Sequence, residues 1–336
     1  MIGNKLINTT FKISAKINLP IIARTLKIHE QFPDYINSLS KNLPPRTLLY
    51  VPGDSKKKLQ KSTQFKCDLI AFDLEDAVIP EQRSIARKNV LEIVSKKSDI
   101  KFENPNQLII RFNEVQKKEG KKDIEAFLRP EILSQNQFSG ILLPKVENFE
   151  DIFLIEKKIK ECKKKLKIYA TFETAKGIVN IKEILESNGA RHEMLRGLVF
   201  GAEDYSASIG CKRTPSGNEL LFARSSIVLH AAAYGLESID MVNIHFKDDS
   251  KLISESLDAV NLGFTGKSII HPKQIQIVQN IFSPSKSEID NAIELLRKFE
   301  ANNKGVLDFH GISADVPVVK AAIRVLLRAQ IDISKV

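Results

Sequence analysis

From Arg46 onward the sequence repeats one unit: a short apolar run, a polar loop and a segment of helical character. Eight runs read as strands: Thr47–Val51, Leu69–Asp73, Leu108–Phe112, Gly140–Leu143, Ile168–Phe172, Leu198–Gly201, Ser238–Val242 and Thr265–Ile270. Helical candidates lie between them, among them Ser55–Phe65, Glu81–Lys96, Phe149–Lys165, Gly177–Ser187, Glu219–Tyr234 and Asp249–Leu262. Strands joined through helices run parallel, because a parallel neighbour requires a long crossover. Eight such units are the number that closes a barrel, so the pattern predicts an α/β fold, a TIM (β/α)8 barrel over residues 46–282. The alternative is a doubly wound open sheet. It calls for a glycine-rich phosphate loop after a strand, and neither GxGxxG nor a Walker motif is present.

Two more helical segments follow, Lys286–Asn302 and Val316–Gln330, joined by a loop over Gly305–Asp315 that carries His310 and Gly311. A barrel does not need them. Residues 283–336 are therefore expected to form a C-terminal helical lid or oligomerisation segment. At the other end, residues 1–45 hold six Lys/Arg against Glu30 and Asp34, and no acid precedes Glu30. Hydroxyl and amide residues alternate there with apolar ones, as in a mitochondrial transit peptide. The apolar stretches are too short and interrupted for a secretory signal. Pro44-Pro45 marks the entry to the folded domain.

Composition removes several function classes. No apolar run approaches a membrane span. The formal charge of +10 invites a nucleic-acid reading, but much of it is helical lysine, as at Lys163-Lys164-Lys165, and the chain has no Trp and no nucleic-acid motif. Cys67, Cys162 and Cys211 form no CxxC pair, and the histidines show no HxH or HxxxH spacing. A bound metal would be held mainly by oxygen.

Polar residues collect where the strands end. Strand two ends in Asp73-Leu-Glu-Asp76, strand three in Arg111-Phe-Asn113, strand four in Pro144-Lys-Val-Glu147, strand five in Glu173-Thr174 and strand six in Glu203-Asp204. In a barrel these positions ring one mouth, where such folds place their chemistry. One arginine among several acids points to a divalent cation and an anionic substrate sharing a site. Glu173 and Asp204 are the candidate ligands: two carboxylates leave most of an octahedral Mg²⁺ open for water and a chelating α-keto or α-hydroxy acid. The competing view is that one of the two only caps a helix or pairs with a lysine. Lys57 and Lys61 lie four residues apart, on one face of the first helix, where they suit a polyphosphate or simply form a solvated face.

The succession Leu49-Tyr-Val-Pro-Gly53, Asp73-Leu-Glu-Asp-Ala77, Ile110-Arg-Phe-Asn113, Leu143-Pro-Lys-Val-Glu147, Phe172-Glu-Thr-Ala175, Phe200-Gly-Ala-Glu-Asp204, Gly263-Phe-Thr-Gly-Lys267 and Ile270-His-Pro272 resembles the citrate lyase β-subunit-like family. The likeness runs from about residue 46 to about residue 330, in consistent order. It implies a Mg²⁺-dependent carbon–carbon lyase on a TIM barrel, cleaving (3S)-citramalyl-CoA to acetyl-CoA and pyruvate. Malyl-CoA lyase, malate synthase or thioesterase activity is the alternative at the same site, and a non-catalytic acyl-CoA-binding subunit is a further one. Metal ligation falls on Glu173 and Asp204, and substrate and CoA binding on Tyr50, Lys57, Lys61, Arg111, Ile270 and His271. The acid/base role falls on Asp315, with Arg111 stabilising negative charge, in a mitochondrial homotrimer where Asp315 serves a neighbouring subunit's site. Two positions depart from the family pattern: Ala202 stands where a second glycine is common, placing a methyl group beside the metal loop, and small residues, Ser313-Ala314, precede Asp315.

Overall fold

The computed structural model describes residues 31–32, 44–95, 104, 107–187, 189–245, 247–302, 306–329 and 331. The expected transit peptide lies outside them, apart from residues 31, 32, 44 and 45. By internal contacts the chain divides into a large unit, Ser38–Lys286, and a second comprising Met1–Asn37 and Ser287–Val336.

The large unit contains the barrel. Its strands are β1 (Thr47–Pro52), β2 (Leu69–Asp73), β3 (Leu108–Arg111), β4 (Gly140–Leu143), β5 (Lys167–Phe172), β6 (Leu195–Phe200), β7 (Glu237–Asp240) and β8 (Gly266–Ile269). Neighbours pair in parallel in chain order, and β8 closes onto β1 through Thr47–Lys267, Leu48–Ser268 and Leu49–Ile269. All eight expected strands are present. Alternation along them separates two apolar populations. Leu48, Ala71, Ile109, Leu142, Tyr169, Val199 and Ile239 form one buried cluster, with Tyr50 against its edge. Ile70, Phe72, Ile110, Ile141, Leu143, Ile168, Leu198 and Phe200 belong to a second cluster together with helix residues such as Val90, Ile155, Ile184 and Ile227. The first fills the barrel and the second joins it to its helices, as period-two alternation requires.

The helix between β4 and β5, Phe149–Glu161, starts in a capping box. The Asn148 side chain accepts from the Asp151 backbone, and Asp151 answers toward the Asn148 N–H. The helix expected over Gly177–Ser187 divides at Asn180 into Ala175–Val179 and Ile181–Leu185. A two-residue hairpin, Glu186–Ser187 with Ala190–Arg191, follows it.

The second unit has a small core of its own. Helices Lys286–Ala301 and Val316–Arg328 contribute Leu295, Leu296, Phe299, Val319, Ile323 and Leu326. The expected loop between them folds largely as a hairpin, Leu307–Phe309 against Ile312–Ala314. His310 and Gly311 take left-handed φ values of 53° and 80°, the pair of positive angles that a tight two-residue hairpin turn demands.

Candidate active site

The strand ends gather five acids around two cations. Asp73 closes β2 and lies opposite Arg111, the last residue of β3, in the sheet register. The Asp73 carboxylate also shapes the turn that follows, accepting from the Glu75 N–H at 2.9 Å and the Ala77 N–H at 3.3 Å. This turn sends Glu75 and Asp76 back over the mouth. Arg111 meets all three acids: Nη1 lies 3.3 Å from Asp73, and Nη2 lies 2.7 Å from Asp76 and pairs with Glu75. Its guanidinium sits 5.3 Å from the centre of the Tyr50 ring.

Lys145, just past β4, ties the next two strands in. Its backbone N–H donates to Glu173 Oε1 at 2.8 Å. Its ammonium lies 2.8 Å from Glu75, 3.3 Å from Asp204 and 3.7 Å from Asp76. To do this, Lys145 adopts φ 48°, a left-handed geometry that costs a non-glycine residue on the order of 1 kcal/mol. The next residue follows the same turn, with the Val146 N–H reaching the Thr171 carbonyl at 3.2 Å.

Glu173 is held tightly by its surroundings. A Cβ at Gly201 would fall within the Glu173 side chain, 2.6 Å from its Cβ, so only glycine leaves room for that carboxylate. The adjacent Ala202 packs into the barrel's outer core instead, so the methyl group expected beside the metal loop has another place. Asp204 stands in the first turn of helix Ala202–Ile209. An acid there suits the helix end, and here its carboxylate also pairs with Lys145.

Burial and acid crowding show in the protonation equilibria. Burial pushes Glu75 up to about 8, against the pull of Arg111 toward the charged form. Burial likewise raises Glu173; Arg111 offsets part of this and the Asp204 charge adds to it. Asp76 is also burdened by burial, yet Arg111 and Lys145 carry it below the usual carboxylate range. Tyr50 is pushed up to about 12 by burial despite Arg111. Both cations are held charged: burial opposes it, but Asp73 and Glu75 outweigh burial at Arg111, and Glu75 does so at Lys145. Acids outnumber cations in a partly buried mouth, which favours an added positive charge.

Glu173 and Asp204 offer the hard oxygen donors that Mg²⁺ prefers. Among the described residues no three His, Cys, Asp or Glu side chains group into a ready-made metal cage. A cation held here would complete its shell with water and substrate oxygen. The carboxylates therefore fit a Mg²⁺ ion.

The other expected site residues lie as follows. Lys57 and Lys61 are exposed on helix Lys56–Ser62, which leaves the mouth end of β1. Neither forms an ion pair among the described residues, whereas Lys56 pairs with Glu92 at 2.6 Å. Ile270 and His271 follow β8, and both N–H groups donate to Gln274 Oε1, at 3.0 and 3.2 Å. Asp315 belongs to the second unit and caps helix Val316–Arg328, accepting from the Val318 N–H at 3.4 Å. The structure thus brings together Tyr50, Arg111, Glu173 and Asp204. It adds Glu75, Asp76 and Lys145, which stood in the strand-end motifs without an assigned role.

Comparison with known proteins follows the same outline. Residues 46–272 match the HpcH/HpaI aldolase/citrate lyase family. The mitochondrial citramalyl-CoA lyase of Homo sapiens is 36% identical over 299 residues, covering 85% of this chain and 86% of that protein. The citrate lyase subunit beta of Escherichia coli K12 is 31% identical over 297 residues, covering 85% and 94%. Among solved structures, the protein CitE from Mycobacterium tuberculosis in complex with magnesium, acetoacetate and coenzyme A superimposes with a TM-score of 0.70 at 27% identity, covering 85% of this chain and 98% of that one. With the whole barrel matched from its first strand to the turn after its last, the chain belongs to the HpcH/HpaI aldolase/citrate lyase family.

Proposed function

We propose that this lyase-family protein is a Mg²⁺-dependent citramalyl-CoA lyase of the mitochondrial matrix, cleaving (3S)-citramalyl-CoA to acetyl-CoA and pyruvate. The observation that carries the reading is the acid-rich mouth, where Lys145 meets both Glu173 and Asp204 and Arg111 acts on Glu173. Relatives named citramalyl-CoA lyase and a neighbour crystallised with magnesium and coenzyme A support the substrate and the metal.

Glu173 and Asp204 would hold the ion, which when bound supplies Lewis-acid polarisation of a substrate oxygen. Arg111 keeps its charge because Asp73 and Glu75 surround it, and a fixed cation stabilises negative oxygen best in a site already short of water. Tyr50 stacks beneath that guanidinium and limits its movement. Lys57 and Lys61, exposed and unpaired among the described residues, receive the CoA phosphates, away from the reacting bond. Ile270 and His271 complete the substrate wall after β8. Asp315 serves as the acid that protonates the acetyl carbon after cleavage, and as the base in the reverse direction. We place it in a neighbouring subunit's site within a homotrimer.

Pyruvate release from (3S)-citramalyl-CoA, measured with Mg²⁺ and with chelator, tests the reading. Metal-dependent release is expected, faster than the release of glyoxylate from malyl-CoA. One methyl group is worth only about 1–3 kcal/mol of discrimination, so some malyl-CoA turnover is expected too. Release unaffected by chelator, or only thioester hydrolysis, would reject it. Mixing Asp315→Asn chains with Glu173→Gln chains tests the shared site. Exchange should rebuild activity from two inactive proteins, and failure to do so despite proven exchange would return Asp315 to its own chain.

A further inference from the structure

One residue touches both candidate metal ligands. The Lys145 amide donates to Glu173 and its ammonium pairs with Asp204. The residue that makes both contacts has a left-handed backbone, φ 48°. The two contacts differ in kind. The amide is neutral and aims Glu173, whereas the ammonium is a cation seated among Glu75, Asp76 and Asp204. Nothing else of positive charge pairs with Asp204 among the described residues.

We infer that Lys145 is a positioning residue that acts as an internal stand-in for the divalent ion. It neutralises Asp204 while the site is empty and gives that carboxylate up when metal arrives. The inference rests on the metal-site reading above and goes beyond it, since it assigns a cost to metal entry. Glu75 is the ammonium's nearer partner, at 2.8 Å against 3.3 Å for Asp204, so the released ammonium keeps its shorter contact. Without Lys145 the metal-free mouth would hold Asp73, Glu75, Asp76, Glu173 and Asp204 with, among the described residues, only Arg111 to balance them. With it, the pocket stays formed before loading, and a divalent ion must displace or repel a unit charge to enter. Lys145 therefore trades metal affinity for stability of the empty site.

Calorimetric titration of metal-stripped protein with Mg²⁺ alone, paired with thermal melts, tests this. Lys145→Met keeps the backbone N–H to Glu173 and removes the charge. Its Mg²⁺ affinity should rise at least about tenfold, because a unit charge a few ångströms away in a partly buried site repels the ion by more than the thermal energy. Its metal-free melting temperature should fall below wild type, and Mg²⁺ should recover more of it than in wild type. Lys145→Arg should restore both values toward wild type, and Lys145→Gln provides a second neutral variant if the Met protein folds poorly. A neutral variant with unchanged or weaker Mg²⁺ affinity overturns the inference while leaving the metal site standing. Wild-type protein that takes up no Mg²⁺, or binding that persists in Glu173→Gln, rejects the site and the inference with it.

Discussion

Two charge clusters lie in the same barrel and do opposite things with their charges. At the mouth, Asp73, Glu75, Asp76, Glu173 and Asp204 face Arg111 and Lys145. Behind β7 and β8, Asp240 forms a two-pronged pair with Arg224 at 3.1 and 2.9 Å and lies 3.6 Å from Lys267. Arg224 also pairs with Asp258, and Lys267 with Glu255 at 3.4 Å. Here each buried cation has two acids and the formal charges come close to cancelling. A balanced buried network fixes one arrangement and gains nothing from a newcomer. An acid-heavy one, with burial lifting Glu75 and Glu173, is incomplete by itself. The difference separates scaffold from site without reference to sequence position.

The largest effect should come from removing charge at the mouth. Glu173→Gln and Asp204→Asn should each lower kcat/KM by a factor of about 10³ or more, the scale of losing about 4 kcal/mol of transition-state stabilisation. Calorimetry should show Mg²⁺ binding lost while the melting temperature stays near wild type. Retained metal affinity in both variants would break the comparison at its functional end. Behind β7 the same kind of change should strike stability instead. Asp240→Ala leaves Arg224 and Lys267 buried without their central acid and should cost about 3–5 kcal/mol in denaturant unfolding. An Asp240→Ala protein with normal stability and lost metal binding would reverse the assignment of the two clusters.

A smaller, purely kinetic effect is expected at the first helix. Lys57→Ala with Lys61→Ala removes two exposed charges that contact no reacting atom. KM for a CoA thioester should rise about tenfold with kcat little changed, the signature of binding shared by ground and transition states. An unchanged KM would return both lysines to a solvated helix face.

Much of this contrast was legible in the chain, and the reasons differ by element. The strands announced themselves because a parallel barrel buries both strand faces, leaving apolar runs between helices. β6 starts at Leu195, earlier than the pattern indicates, because Arg196 interrupts its apolar run. The helix break at Asn180 and the hairpin around His310-Gly311 depend on single backbone angles that periodicity does not carry. At the site, Arg111, Glu173 and Asp204 stood out as charges directly after apolar runs. Lys145 did not. Its role arises from a left-handed φ and a side chain spanning three loops, and no spacing in sequence encodes either.

The smallest effect tests whether an acid-heavy interior matters away from the mouth. Glu237 begins β7 inside the barrel, accepts from the Tyr169 hydroxyl at 2.9 Å, and among the described residues pairs only with Arg196, at 3.7 Å. Burial raises it to about 7, with Tyr169, Arg196 and Lys167 favouring the charged form. The folded state therefore holds this proton more tightly than the unfolded chain does. Its contribution to stability is full below the unfolded value near 4.5 and is lost as pH rises through about 7. Glu237→Gln keeps an acceptor for Tyr169 and removes the titration. Relative to wild type it should melt about 2–4 °C higher at pH 8 than at pH 5, on the order of 1 kcal/mol after allowing for relaxation around the charge. Activity should be unaffected, because this acid excess lies at the opposite end of the strands from Arg111 and Glu173. A melting difference that is flat with pH would show that Arg196 already balances Glu237. A loss of activity would mean that the two ends of the barrel are electrostatically one site.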